Sequence, residues 1–70
     1  MLRQSVVSSE MLSVGYDPAS GILEIEFKSG AVYKYFIVPK TIYDGLIGAE
    51  SKGSFFAQSI RDKFAYLRVS

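Results

Sequence analysis

The chain has 70 residues, enough for one domain, and contains neither cysteine nor histidine. Disulfides are therefore excluded, along with the two most useful metal ligands and the commonest general base. Eight basic against seven acidic residues leave a net charge of +1, too little for the footprint of a strong nucleic-acid binder. A domain this small has a thin stability margin, and 49% apolar residues with five Phe and five Tyr supply the core that offsets it. Self-association into a homo-oligomer is the other staple open to it.

Residues 1–10, MLRQSVVSSE, read as a flexible N-terminal arm ahead of a single domain over residues 11–70. Residues 11–16 form a first strand in which Leu12, Val14 and Tyr16 alternate with smaller residues. Asp17-Pro18-Ala19-Ser20-Gly21 is a turn, with proline presetting φ and glycine closing it. A second strand follows over Ile22–Phe27, where Leu23, Ile25 and Phe27 alternate with Glu24 and Glu26. A third covers Ala31–Val38.

Two registers join the second and third strands. A two-residue Ser29-Gly30 loop puts Tyr33 and Tyr35 on the face of Glu24 and Glu26. A three-residue Lys28-Ser29-Gly30 loop, with Gly30 in the left-handed position of a bulge, sets Ile25 against Tyr33, Leu23 against Tyr35 and Glu24 against Lys34. The second register segregates apolar from charged side chains and is preferred. Pro39 ends the sheet. Lys40–Ala49 reads as a short helix weakened by Gly45 and Gly48. Ser51-Lys52-Gly53-Ser54 offers N-caps to a second helix over Phe55–Tyr66, whose Phe56, Ile60 and Phe64 form a core-facing stripe. Leu67–Ser70 forms a last short strand or frays. The fold class is α+β: a three-stranded antiparallel meander followed by two helices packed on one face.

At this point the residues resemble the KTSC domain, named for its place at the C-terminus of some lysyl-tRNA synthetases and also found as free-standing small bacterial or phage proteins. The resemblance covers about residues 8–69. It rests on Val14-Gly15-Tyr16-Asp17, on Leu23–Phe27, on Gly30 with Tyr33-Lys34-Tyr35, on Val38-Pro39 and Tyr43, on Ser51–Ser54, and on Phe56 with Ile60-Arg61. Family members often carry Tyr-Phe-Asn where this chain has Phe55-Phe56-Ala57, and Tyr where it has Phe64. The synthetase fusion implies contact with RNA, as a fold-level association.

The residues offer three candidate binding features. Tyr33 and Tyr35 are either a stacking platform for bases or core. Ser51, Lys52, Gly53 and Ser54 open a helix whose N-terminus would hold a phosphate, with Arg61 further along; the plain alternative is an N-cap. The segment 39–70 carries five basic and three acidic residues, and Lys63 and Arg68 would extend a phosphate-tracking face. Catalysis lacks its parts: serines have no histidine base, and the carboxylates show no ligand spacing, so no metal or cofactor is expected. The expected function is a non-catalytic accessory module binding RNA, such as tRNA, through the basic C-terminal region. The alternatives are a small-nucleotide-sequestering oligomer and a protein-interaction module. No stretch suits a membrane span and no signal segment stands at the start, so a cytoplasmic location is expected.

Overall fold

The computed structural model describes all residues from Met1 to Ser70. Its elements run β1 (Gln4–Ser5), β2 (Met11–Asp17), β3 (Ile22–Phe27), β4 (Val32–Tyr35), α1 (Lys40–Gly48), α2 (Lys52–Ser59) and β5 (Tyr66–Arg68). The strands form one antiparallel sheet in the order β1-β2-β3-β4-β5. The α+β class, the central meander and the two helices are as expected. Two outer strands make the sheet five-stranded rather than three-stranded.

The β3–β4 hairpin takes the three-residue loop. Gly30 sits at φ +96°, and its N–H donates to the Phe27 carbonyl at 2.9 Å. Leu23 then opposes Tyr35, Glu24 opposes Lys34 and Ile25 opposes Tyr33. The β2–β3 turn is tied by Asp17, whose carboxylate accepts from the Ala19 N–H and the Ser20 hydroxyl.

One sheet face is apolar, and both helices cover it. Met11, Val14, Leu23, Ile25 and Tyr35 meet Leu46 of α1 and Phe56 of α2 there, with Val38 and Ile60 from the adjoining turns. Tyr16 stacks on Tyr43 of α1 at 4.7 Å and donates its hydroxyl to the Val38 carbonyl. The opposite face is charged. Glu24 accepts from Arg3 at 2.7 Å and lies 3.8 Å from Lys34, while Glu26 accepts from the Ser13 hydroxyl.

Four expectations need correction. Leu12 points outward and Met11 fills the core, because a bulge between Met11 and Ser13 inserts Leu12 as an extra residue. Residues 1–10 are not uniformly an arm: Gln4–Ser5 pair with Val14 and Ser13, and the Arg3–Glu24 ion pair ties the segment to the charged face. The third strand stops at Tyr35 instead of Val38, because Ile37 takes a left-handed φ of 56° that no strand accommodates. The second helix runs Lys52–Ser59 rather than Phe55–Tyr66, since Tyr66–Arg68 extend to pair with the open edge of β4.

Candidate functional site

The hairpin register puts Tyr33 and Tyr35 on the helix-covered face, two residues apart on one strand. β5 pairs antiparallel beside them, with Tyr66 opposite Tyr35 and Arg68 opposite Tyr33. Cross-strand partners share a face, so three tyrosines converge. Their ring centroids lie 6.2 Å (Tyr33–Tyr35), 5.7 Å (Tyr33–Tyr66) and 5.8 Å (Tyr35–Tyr66) apart. Phe56 of α2 packs edge-on to Tyr35 at 5.6 Å and to Phe27 at 5.4 Å, closing the floor.

The two helices do not cover this end of the sheet, and an open cleft of about 360 Å³ remains. Phe27, Tyr33, Tyr35, Phe56 and Tyr66 line it, with two charged residues, Glu10 and Arg61. The Arg61 guanidinium stands 5.5 Å from the Phe56 ring centroid, within cation–π range. Tyr35 is only 3% exposed while Tyr66 is 59% exposed, so the cleft grades from a fixed base to an open lip.

The tyrosine hydroxyls separate into two groups. Tyr16 donates to the Val38 carbonyl, and Tyr43 accepts from Gln4. The other three, Tyr33, Tyr35 and Tyr66, all line the cleft, and none of their hydroxyls pairs within the chain. No buried side-chain polar atom lacks a partner, so the unpaired Tyr35 hydroxyl opens onto cleft solvent. Burial, followed by the neighbouring Tyr33 and Tyr66, pushes Tyr35 up to about 12. At neutral pH it is therefore a protonated phenol, able to donate or accept a hydrogen bond.

The Ser51–Ser54 segment has a local use for each residue. Ser51 is the N-cap of α2, its hydroxyl accepting from the Ser54 N–H at 3.3 Å. The Lys52 ammonium donates to the Ala49 carbonyl at the end of α1. Gly53 makes room for Glu10: a Cβ there would stand 2.9–3.1 Å from the carboxylate atoms. A phosphate approaching Gly53 would meet that carboxylate first, while Arg61 lines the tyrosine cleft. Lys63 is exposed in the turn after α2, outside the cleft lining. Arg68 lies beside Tyr33 on the same face, with its Nε donating to the Ser70 carbonyl at 2.8 Å. Sequence reasoning missed Glu10 and Tyr66. No period could have found the second, because Tyr66–Arg68 is a strand of only three residues.

The architecture is that of a small α+β domain, with an aromatic cleft at the edge where the last strand joins the meander. The chain belongs to the KTSC domain family, whose model matches residues 7–64. It is 41% identical to an uncharacterized protein of Stutzerimonas stutzeri over 99% of both chains. A crystal structure of a KTSC domain protein from Yersinia pestis is 40% identical and superposes with a TM-score of 0.95, covering 99% of this chain and 97% of that one. A lysine–tRNA ligase of Nostoc is 42% identical over 55 residues, which are 79% of this chain and 10% of the ligase.

Proposed function

We propose that this chain is a non-catalytic nucleic-acid-binding module that takes one unpaired RNA base in its tyrosine cleft. The observation that carries the reading is the segregation of the hydroxyls: the three tyrosines around the cleft are unpaired, and the two elsewhere are bonded. A base would lie over the exposed Tyr66 ring, gaining the stacking that single-strand binders use. The Tyr33 and Tyr35 hydroxyls would meet its polar edge. Arg61 would reach a flanking phosphate, with Arg68 on β5 and Lys63 in the turn that leads to it adding positive charge. The kinship with a segment of lysine–tRNA ligases supports RNA as the polymer. The small volume of the cleft, about 360 Å³, also suits a free mononucleotide, the second reading.

The test is fluorescence anisotropy with labelled single-stranded RNA, duplex RNA and mononucleotides as competitors. Single strands bind better than duplex, and Tyr66→Ala weakens them by about 5- to 150-fold, the loss of one stacked base. Contacts from Arg61, Lys63 and Arg68 would give a log–log salt slope of about −2, or about 20-fold between roughly 50 and 200 mM salt. Equal affinity for duplex, or an unchanged Tyr66→Ala variant, would refute the cleft as the site. Competition by mononucleotides at matching affinity would favour the capture reading.

A further inference from the structure

Two opposite charges line one cleft and do not pair. No salt bridge joins Glu10 to Arg61, and neither is bonded through its side chain to any other residue, although both border the same aromatic walls. In a cleft that only needed to be closed, such groups would gain by pairing with each other. Left apart, each keeps its hydrogen-bonding groups open to a ligand.

The Glu10 backbone is held in place. Its backbone N–H donates to the Ser8 hydroxyl at 3.2 Å, and its carbonyl accepts from the Lys28 N–H at 2.8 Å. Its carboxylate lies against Gly53 in the first turn of α2, where a methyl group would stand 2.9–3.1 Å from the carboxylate atoms. The partial positive charge of a helix start favours a carboxylate there. The cleft therefore presents, from an anchored backbone, a group that only accepts hydrogen bonds, with two oxygens side by side.

We infer that this cleft is selective for guanine, with Glu10 accepting from the Watson–Crick edge of the base and Arg61 contacting its carbonyl edge or the adjoining phosphate. The inference rests on the base-binding reading above. Guanine alone among the four RNA bases presents two adjacent donors, N1–H and N2–H₂, matched to two carboxylate oxygens. Adenine presents a donor beside an acceptor. Uracil presents one donor flanked by acceptors, and cytosine one donor followed by acceptors. Each of these three would set an acceptor against the carboxylate, which is repulsive. Glu10 is thus a specificity residue, and a bidentate contact of this kind discriminates by about 5- to 150-fold.

The experiment uses the full chain and fluorescein-labelled uridine nonamers carrying G, A, C or U at the centre. Anisotropy titrations should rank the G oligonucleotide first by about 5- to 150-fold. Glu10→Gln, whose amide offers one acceptor and one donor, should reduce that preference to about twofold or less, by weakening the G oligonucleotide and by strengthening the A, C and U ones, whose acceptors no longer meet a carboxylate, with circular dichroism showing the fold intact. Equal affinities for the four oligonucleotides, all lost together in Tyr66→Ala, would overturn guanine selectivity and leave base binding standing. A guanine preference that survives Glu10→Gln would overturn the role of Glu10. Binding to none of the four would overturn both readings.

Discussion

Ile37 is a β-branched residue at φ 56°, with 79% of its surface exposed. The left-handed region costs an L-residue about 1–2 kcal/mol, and β-branched side chains tolerate it worst. The neighbours impose the conformation. The Phe36 N–H donates to the Ala65 carbonyl at 2.9 Å and the Val38 N–H to the Gly21 carbonyl at 2.8 Å, while the Val38 carbonyl accepts from the Tyr16 hydroxyl. Between these anchors the chain has to swing outward. Replacing Ile37 by Asn, which adopts the left-handed region readily, recovers most of that cost. The forfeited burial is small: with about a fifth of the side chain covered, it amounts to about 0.3–0.6 kcal/mol. The net gain is about 1 kcal/mol, worth about 4–8 °C in a domain of this size. Ile37→Gly gains less, because glycine also widens the unfolded ensemble by about 0.4–1 kcal/mol. Ile37→Val is a control that keeps the strain and melts near the parent. Thermal melts followed by circular dichroism, with urea melts to show an unchanged m-value, measure this. Asn and Gly variants that both melt at or below the parent would refute the strain argument and show that the Ile37 side chain earns its place through contacts.

Alkaline pH tests the Tyr35 environment. Its folded value of about 12 exceeds the ordinary 10, so the unfolded chain releases the proton first. The stability held below pH 10 is therefore lost progressively as pH rises from about 10 to about 12, and Tyr35→Phe removes that share of the loss in pH-dependent urea melts. Gly15→Ala tests the N-terminal crossing. A Cβ there would stand 2.7 Å from the Leu2 carbonyl oxygen, so the segment must shift, which loads the Arg3–Glu24 pair. The expected cost is about 1–3 kcal/mol in the full chain, and near zero in a chain lacking residues 1–3. An equal cost in both backgrounds would refute the crossing.

The parts of the fold legible in the sequence are those whose determinants are local. The β3–β4 register follows from Gly30 in the loop and from the opposition of Glu24 to Lys34, which one register satisfies and the other does not. The β2 bulge left no such mark, since Met11 and Leu12 are equally apolar and only pairing with β3 shows which is extra. Gln4–Ser5 and Tyr66–Arg68 are too short to carry a period, and they are strands because β2 and β4 present open edges. The spacing of Phe56, Ile60 and Phe64 suggested a longer helix. The N–H of Arg61 instead donates to the Phe56 carbonyl, a wider turn that lets the chain leave the helix and reach the sheet.

The same division explains the site. Tyr33 and Tyr35 were recognisable as candidates, but their role depends on what lies across from them, and Tyr66 and Glu10 come from opposite ends of the chain. Ser51–Ser54 shows the converse. Its composition resembles a phosphate loop because capping a helix and cradling an anion make the same demand, namely a hydroxyl acceptor, free N–H groups and a glycine without a side chain. Here the anion at that glycine is the chain's own Glu10 carboxylate, held where its other side borders the tyrosines. Gly53 thereby links a capping motif to the cleft. The first atoms a side chain at residue 53 would meet are those of the Glu10 carboxylate, so the glycine matters to the site through geometry rather than through contact with a ligand.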